Sequence, residues 1–420
     1  MSNNVYILSK SQLGGAVTIS GAKNSVLKLL TASILTGKPV TIQNYPTAML
    51  DVEIHQEMLE VLGKRCTVNG DTLHIEEITS PPSALDWEKR SIRNTLLILG
   101  ALTARTGAGR VPLPGGCQLG DRKFDLHVEV LEALGARVTE NEGWLEASAP
   151  DGLTGADIHL RLRSTGATEN AILCGTLAKG VTRVWNPHIR PEILDLIAML
   201  RAMGATIEVF GQEHIAITGR EVLQGALHRA IPDNMEAITW LIGAAITGGE
   251  VEIRNFPWEH LEVPLIFLRD SGARVFRSDD CALVRGSRCY PVEISTGPYP
   301  GINSDMQPLF AAFGACARGE SRITDLRFVG RYGYAEEFRK MGVQTDASDN
   351  ILKIAGGAPL HGAEVTALDL RAGAALSLLG MAASGQTRIL DAWQIERGYN
   401  DFVRKLKALG GQIAVEEGDS

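Results

Sequence analysis

Long apolar runs are absent from this 420-residue sequence. Apolar helical stretches such as 26–35 are too short, because a helix needs about 20 apolar residues to cross a bilayer. The amino end, from Met1 to Tyr6, also lacks the basic start and apolar core of a secretory signal. The sequence therefore predicts a cytoplasmic protein with no membrane partner.

Positive charge is in short supply as well. The chain has 41 Lys and Arg against 49 Asp and Glu, which gives a net charge of −8. Nothing long-ranged would attract nucleic acid or an anionic membrane, so neither is an expected partner. An anionic substrate would have to be held by a local cluster of Lys and Arg.

Cysteine pairs are missing too. None of the six cysteines forms a CxxC motif or has a ligand-like spacing with histidine. We therefore expect free thiols and no metal site. Cys174 and Cys316 fall inside apolar helical runs, where cysteine usually serves as a small core residue.

The sequence contains six copies of an internal repeat. The 420 residues give about 70 per copy, too long for the usual solenoid repeats. Each copy runs from a polar cluster into an apolar helix, a strand, an amphipathic helix that ends in glycine, and a further strand or hairpin. The copies open at Gly21, Ser91, Ser164, Asp233, Ser304 and Asp369, and the ending glycines are Gly63, Gly135, Gly204, Gly272, Gly342 and Gly410.

The first copy illustrates the plan. Residues 25–35 are apolar nearly all round, which predicts a buried helix that Gly37 would end in the left-handed conformation. Residues 51–62 are apolar on one face only, which predicts an outer helix. Residues 65–75 should form a hairpin that turns at Gly70.

Six α/β copies indicate two domains of three copies each, with a break near 219–232. The first strand, at 5–8, has no partner before it and would complete the last copy, so the chain would cross between the domains twice. We therefore predict one domain at 23–231 and another formed by 1–22 plus 232–420. A double crossing suits a hinge that closes over a cleft, where we expect the active site.

Cations recur where the polar clusters open helices. Lys23, Arg93 and Arg371 lie at or near a first turn, against an unfavourable helix dipole. Arg122, Arg331 and Arg397 lie in loops with neighbouring glycines. Any one alone would be read as a solvated charge, but the recurrence favours an anion site at helix starts.

Two further residues carry candidate chemistry. Cys117 lies in the glycine- and proline-rich segment 112–122 with Arg122, where a thiol can have a lowered pKa and act as acid or nucleophile. An incidental surface cysteine is an equal alternative. Asp305 could be a helix N-cap, the commoner role, or a carboxylate base. Asp233 and Asp369 hold equivalent positions, which strengthens the capping alternative.

At these residues the sequence resembles the enolpyruvyl transferases. The motifs fall in family order between about 17 and 415; they are 19–24, 113–117, Arg122 with 125–127, 304–307, 369–372 and 396–399. The resemblance is closest to members that act on UDP-N-acetylglucosamine, because the cysteine segment separates them from the enzyme that acts on shikimate 3-phosphate. It implies an α/β fold of two inside-out, barrel-like domains, each of three βαβαββ units.

The resemblance also implies a reaction. Phosphoenolpyruvate would give its enolpyruvyl group to a sugar hydroxyl of UDP-N-acetylglucosamine, in peptidoglycan precursor synthesis, and phosphate would leave without a cofactor or metal. Cys117 would act as acid and Asp305 as base, assisted by Lys23 and Arg397. Phosphoenolpyruvate would be bound by Lys23, Arg93, Arg122, Arg331, Arg371 and Arg397. The acceptor would be bound by Asn24, Arg122, Lys123, Phe124, Asp125, Leu126, Ser164, Thr165, Gly166, Ser304, Asp305 and Arg327.

Several positions depart from the family pattern on the acceptor side. Leu50 replaces a usual Lys, Lys123 a usual Pro, Arg190 a usual acidic residue, Asn234 a usual Arg, and Arg327 a usual apolar residue. The same transfer to another nucleotide or nucleotide sugar, in a specialised pathway, is therefore the main alternative. A non-catalytic nucleotide-sugar binder is a third reading, against which the retained Cys117 and Asp305 argue.

Overall fold

The computed structural model describes residues 3–114, 124–328 and 330–418, in which thirteen α-helices and twenty-three strands are present. The helices are α1 (Lys23–Ala32), α2 (Leu50–Val61), α3 (Thr95–Thr106), α4 (Asp125–Ala133), α5 (Thr165–Gly175), α6 (Pro191–Ala202), α7 (Asn234–Thr247), α8 (Glu262–Asp270), α9 (Gln307–Cys316), α10 (Tyr334–Lys340), α11 (Leu370–Ala382), α12 (Trp393–Glu396) and α13 (Phe402–Ala408). The strands are β1 (Asn3–Ser9), β2 (Gly14–Thr18), β3 (Val40–Gln43), β4 (Lys64–Asn69), β5 (Thr72–Glu77), β6 (Ala108–Pro112), β7 (Arg137–Asn141), β8 (Trp144–Ser148), β9 (Asp157–His159), β10 (Val181–Trp185), β11 (Thr206–Phe210), β12 (His214–Thr218), β13 (Ala226–Arg229), β14 (Glu250–Arg254), β15 (Arg274–Ser278), β16 (Cys281–Arg285), β17 (Glu293–Ser295), β18 (Gly319–Thr324), β19 (Gln344–Ser348), β20 (Ile351–Gly356), β21 (Glu364–Thr366), β22 (Gln386–Leu390) and β23 (Gln412–Gly418).

The chain divides into two compact units. One is Gly21–Ile231 and the other joins Met1–Ser20 to Pro232–Ser420. In Gly21–Ile231, the inner helices α1, α3 and α5 pack together, while α2, α4 and α6 lie outside with sheets ordered β13-β3-β5-β4, β6-β8-β7 and β11-β12-β10-β9.

The other unit repeats this architecture. Its inner helices are α7, α9 and α11, its outer helices are α8, α10 and α13, and its sheets are ordered β15-β16-β14-β2, β17-β18-β20-β19 and β21-β22-β1-β23. Buried helices at the centre and sheets around them give each unit the inside-out α/β arrangement that the sequence predicts.

Three strands, β1, β2 and β13, complete repeats that are distant in sequence, and β2 does so by pairing in parallel with β14. β13 pairs in parallel with β3, so that Ala226 lies opposite Val40. β1 pairs antiparallel with both β22 and β23, and Tyr6 lies opposite Ile389 and Val415. The prediction that the first strand completes the last copy is therefore confirmed.

The glycines that end the six outer helices have the expected conformation. Each has a positive φ between 81° and 95°, which only glycine adopts without strain. The predicted hairpin is also confirmed, because β4 and β5 pair around Gly70. The expectation for Gly37 is wrong. The first inner helix instead tightens into a 3₁₀ turn at Ser33–Leu35, and Gly37 is not left-handed.

Burial follows the predicted pattern. α3, α7 and α11 are apolar nearly all round and are buried along most of their length. Cys174 is fully buried, and Cys316 packs against the core at the end of α9 while remaining partly exposed. Within the described ranges, no helix combines the length and the apolar character that crossing a membrane requires.

Candidate active site

The amino end of α1 carries a buried ion pair. Lys23 is the first residue of this helix, and its Nζ lies 3.1 Å from Oδ2 of Asp51 in the first turn of α2. Both side chains are more than nine-tenths buried. Asp51 thus holds an ammonium group at a helix start, where the dipole alone would oppose a cation. Asn24 follows at the half-buried second position of the helix.

The start of α3 is fixed by a buried amide. Nδ2 of Asn94 approaches the Leu27 carbonyl at 3.1 Å, Oγ1 of Thr31 at 2.9 Å and Nδ1 of His55 at 3.0 Å. The half-buried Arg93 directly precedes Asn94. Anchoring of Asn94 therefore fixes the backbone from which the Arg93 guanidinium extends.

His127 is a neutral side chain beside these cations. Burial, together with the smaller effects of the nearby Arg93 and Lys28 charges, lowers the pKa of His127 to about 3. A Cβ atom on Gly166 would lie 2.7 Å from Nε2 of this ring. Glycine at position 166 is therefore what lets the imidazole lie against the start of α5.

The start of α5 offers hydroxyl and backbone donors. Ser164 caps the helix, since its Oγ accepts from the Ala167 N–H at 3.3 Å. Oγ1 of Thr165 lies 2.8 Å from Nδ1 of His188. A helix start with these hydroxyls suits phosphate groups. The neighbouring predicted acceptor residues are Phe124, half-buried, Asp125, ion-paired with Arg161, and Leu126, buried.

A buried acidic cluster lies behind this helix start. Burial raises the pKa of the Glu169 carboxyl to about 7, against the lowering effect of Lys28, whose Nζ is 3.8 Å away. Arg190 makes a bidentate pair with Glu192, with both N–O distances at 2.7 Å. The departure at position 190 thus places a guanidinium in direct contact with a buried carboxylate.

In the other unit, Asp305 does not cap a helix. The N-caps of α7 and α11 are Asp233 and Asp369, whose carboxylates accept from backbone N–H groups two and three residues ahead. Asp305 lies in a 3₁₀ turn that Asn303 caps, and its Oδ1 is 2.8 Å from Nη2 of Arg331. The capping alternative therefore does not apply to Asp305.

Arg331 is a mostly buried cation that also contacts Ser304. Its Nη1 donates to Oγ of Ser304 at 3.0 Å. Burial opposes the charge of this guanidinium, yet Asp305 and Asp369 raise its pKa above the ordinary value. The side chain is thus a permanent cation that links two predicted site residues.

Arg371 has unmet hydrogen-bonding capacity. It lies at the second position of α11, is 2% exposed, and its guanidinium carbon is 5.2 Å from the ring centre of Tyr399. Its Nε and Nη1 find no hydrogen-bond partner in the described part of the chain. Buried N–H groups are rarely left unsatisfied, so each of these two atoms is available to an acceptor oxygen of a ligand. Arg397 is also buried in this unit and donates from Nη1 to Oε1 of Gln394 at 3.0 Å.

Three of the predicted site residues, Cys117, Arg122 and Lys123, lie outside the described residues. Among the other departures, Leu50 is the half-buried first residue of α2, Asn234 is buried at the start of α7, and Arg327 is exposed with its guanidinium 5.4 Å from the Phe328 ring centre.

The sequence reasoning missed two carboxylates. Asp51 was considered only as part of an outer helix, although it holds Lys23. Asp325, which follows β18, contacts Ser304 and was not considered at all. Its position just after a strand end was the one available signal, since such ends often carry functional side chains.

Comparison with known proteins agrees with this geometry. A model of the EPSP synthase family (3-phosphoshikimate 1-carboxyvinyltransferase) matches residues 7–406. A UDP-N-acetylglucosamine 1-carboxyvinyltransferase of Caulobacter sp. strain K31 is 40% identical, over 100% of this chain and 98% of the relative. A protein of Carboxydothermus hydrogenoformans named UDP-N-acetylglucosamine 1-carboxyvinyltransferase 2 is 40% identical over 97% of this chain and 98% of its own.

Two solved structures that resemble this chain are also enolpyruvyl transferases. The enolpyruvyl transferase NikO from Streptomyces tendae is 26% identical, with a TM-score of 0.90 over the whole of both chains. An EPSP synthase from Acinetobacter baumannii shares the fold, at 20% identity and a TM-score of 0.78. The repeats, the α/β units and the conserved length define an enolpyruvyl transferase fold. The chain belongs to the EPSP synthase family.

Proposed function

We propose that this protein transfers the enolpyruvyl group of phosphoenolpyruvate to a sugar hydroxyl of UDP-N-acetylglucosamine and releases phosphate. The observation that carries the proposal is end-to-end similarity, at 36–40% identity, to relatives named for this reaction. The product is a precursor of peptidoglycan, and the enzyme would work in the cytoplasm, where phosphoenolpyruvate is made.

The chemistry requires an acid, a base and a set of cations. The acceptor hydroxyl oxygen bonds to C2 of phosphoenolpyruvate, its proton goes to a base, and C3 gains a proton. The resulting tetrahedral intermediate then loses phosphate and a C3 proton, which restores the double bond. Charge on the phosphate and carboxylate persists throughout, so fixed cations supply most of the stabilisation.

The described residues can fill these roles. Asp305 is partly exposed and lies against Arg331, so its carboxylate is held in place and can contact a substrate. The unmet N–H groups of Arg371 can each donate to an anionic oxygen of the donor. We assign Cys117 the proton for C3, and Lys23, Arg93, Arg122, Arg331 and Arg397 the remaining anionic oxygens.

The acceptor is assigned to the other polar residues. The start of α5, with Ser164, Thr165 and Gly166, suits the diphosphate because its N–H groups point outward. We assign the uracil to residues 123–126, and the sugar to Asn24, Ser304, Asp305 and Arg327. The assignment requires residues of 23–231 and of 1–22 plus 232–420 to act on one pair of substrates.

The test is phosphate release with phosphoenolpyruvate and a panel of acceptors. We expect turnover with UDP-N-acetylglucosamine, and a product that has gained the mass of an enolpyruvyl group. Cys117→Ser and Asp305→Ala should each abolish it, while Cys281→Ser, a change at a half-exposed thiol in β16, should not. Release that persists unchanged in both site variants would overturn these roles.

A second acceptor is favoured by one specific observation. Leu50, Lys123, Arg190, Asn234 and Arg327 all depart from the family on the acceptor side, whereas the donor-side cations are retained. The same transfer to another nucleotide or nucleotide sugar, in a specialised pathway, would account for this. The panel should therefore include UDP, UMP and UDP-glucose, and faster turnover of one of these than of UDP-N-acetylglucosamine would support the second candidate.

A further inference from the structure

We propose that Asp325 is a positioning residue that sets the geometry of Asp305 and Arg331. The inference rests on the proposed function, since it concerns the groups assigned there to the hydroxyl proton and to the donor. Asp325 directly follows β18 and is 1% exposed. A buried carboxylate is costly unless hydrogen bonds satisfy it, so its partners reveal what it holds in place.

Asp325 accepts five hydrogen bonds from neutral donors. Oδ1 accepts from Oγ1 of Thr296 at 2.8 Å and from the backbone N–H groups of Arg327 at 2.8 Å and Phe328 at 3.1 Å. Oδ2 accepts from Oγ of Ser304 at 2.6 Å and Nε2 of Gln307 at 2.5 Å. One side chain therefore holds the helix start at 304–307 and the segment after β18 together.

Two of these bonds lead to the candidate site. Ser304 donates its hydroxyl proton to Asp325, which leaves the oxygen lone pairs for Nη1 of Arg331 at 3.0 Å. Nη2 of Arg331 in turn contacts Asp305 at 2.8 Å. Because the carboxylate accepts the Ser304 proton, it fixes the direction in which Ser304 can accept from the guanidinium.

The backbone around Asp325 is held as well. Its N–H donates to the Tyr332 hydroxyl at 2.9 Å, and that hydroxyl donates to the Asn350 carbonyl at 2.6 Å. Arg331 therefore extends from a backbone that is tied on one side by Asp325 and on the other by Tyr332. The arrangement restricts where the guanidinium can lie.

The chemistry of these contacts requires a carboxylate. An amide at position 325 has only one acceptor oxygen, and its other group is an NH₂ donor. In one orientation the NH₂ group would face the donors of Ser304 and Gln307, and in the other it would face the backbone N–H groups. Asp325→Asn keeps the shape and removes the acceptor. Asp325→Glu restores the two acceptor oxygens on a longer side chain and serves as the conservative rescue.

The experiment compares these variants with a matched control. Ser271→Ala removes a buried hydroxyl that donates to the Pro291 carbonyl at 3.1 Å in the same unit, away from residues 304–307 and 325–332. We expect Asp325→Asn to lower kcat by about 10- to 100-fold, since small misplacements of reacting groups cost about this much. The KM for UDP-N-acetylglucosamine should change less than about threefold, Asp325→Glu should recover part of kcat, and Ser271→Ala should keep full kcat.

Two outcomes would overturn the positioning role. One is a kcat for Asp325→Asn that matches Ser271→Ala at the same fraction of folded protein. The other is an Asp325→Asn defect that appears only in the KM for the nucleotide sugar.

Failure of the proposed function would look different, because wild-type protein would then turn over none of the acceptors. In that case amide hydrogen exchange at Arg327 and Phe328 decides the inference. Exchange at least about tenfold faster in Asp325→Asn than in Ser271→Ala supports the anchoring, and equal exchange refutes it.

Discussion

Oδ1 of Asp305 lies 2.8 Å from Nη2 of Arg331, while Asp233 and Asp369, at the starts of two other repeats, cap their helices. Asp233 and Asp369 open their repeats, whereas Asp305 follows Ser304, the residue that opens its own repeat, and lies inside a 3₁₀ turn. Asn303 has taken over the cap, through a 3.0 Å bond to the Asp305 N–H. The Asp305 carboxylate is partly exposed and held by a cation, which makes it the candidate for the base of the reaction.

Replacing Asp305 by Asn should therefore remove activity and leave the fold intact. The amide cannot accept the hydroxyl proton, and loss of a general base typically lowers kcat by about 10²- to 10⁴-fold. The measurement is phosphate release, with circular dichroism as the check on folding. Asp346→Asn, at an exposed position of β19, is the control and should retain wild-type kcat. Equal activity in the two variants would contradict the assignment.

Replacing Arg371 by Met should separate stability from function. The guanidinium is buried with two unmet N–H groups, and burying a charged group that is not fully hydrogen-bonded costs stability, a cost that Met does not have. We expect the unfolding free energy to stay the same or rise, within about 2 kcal/mol. The KM for phosphoenolpyruvate should rise by at least about tenfold, because a charged hydrogen bond contributes roughly 1.5–3 kcal/mol.

The measurement is a thermal melt with and without phosphoenolpyruvate. Wild-type protein should melt higher with the donor present, and the rise should be smaller for Arg371→Met at the same donor concentration. Arg269→Met is the control, since Arg269 lies in the outer helix α8 with its guanidinium near Trp258. A variant that melts far below wild type and still binds the donor would refute the interpretation.

The sequence predicted the repeats and their helices because the apolar pattern and the ending glycines are local signals. The six glycines from Gly63 to Gly410 have positive φ, and the first strand pairs with the last repeat as expected. The parallel pairing of β13 with β3 was not predicted, because it joins residues far apart in sequence and leaves no periodic pattern. Gly37 was misjudged because the helix can also end by tightening into a 3₁₀ turn.

The candidate site was predictable to a similar extent. Recurring cations at helix starts indicated Lys23 and Arg371, since the register of the repeats is visible in the sequence. The carboxylates that hold these groups were not visible. Asp51 reaches Lys23 from another helix, and Asp325 reaches Ser304 from the end of a strand. Such partners are determined by packing between elements, which one sequence does not reveal.

The Arg190–Glu192 pair gives a double-mutant test. Arg190→Ala leaves the nearly buried Glu192 without its bidentate partner, and breaking a buried pair costs roughly 3–5 kcal/mol. Glu192→Gln in the same chain should recover a large part of that loss. Urea unfolding of the wild type, both single variants and the double variant measures the coupling energy. Additive effects would show that the pair does not act as a unit.

The last prediction concerns Glu169, whose pKa burial raises to about 7. The unfolded chain releases this proton near pH 4.5, so between about pH 4.5 and 7 the folded state binds more protons than the unfolded state. Stability from this group is therefore fully present below pH 4.5 and is lost as the pH rises through 7. The amide in Glu169→Gln cannot ionise. The stability of this variant should therefore not fall as the pH rises through 7. Relative to wild type, the variant should gain about 3 kcal/mol between pH 4.5 and 8, since one pKa unit is worth about 1.4 kcal/mol. Urea unfolding at both pH values measures the difference, with Glu146→Gln, at a half-exposed position of β8, as the control. If the wild-type and Glu169→Gln curves stay parallel across this range, the carboxyl titrates normally and the buried proton is not there.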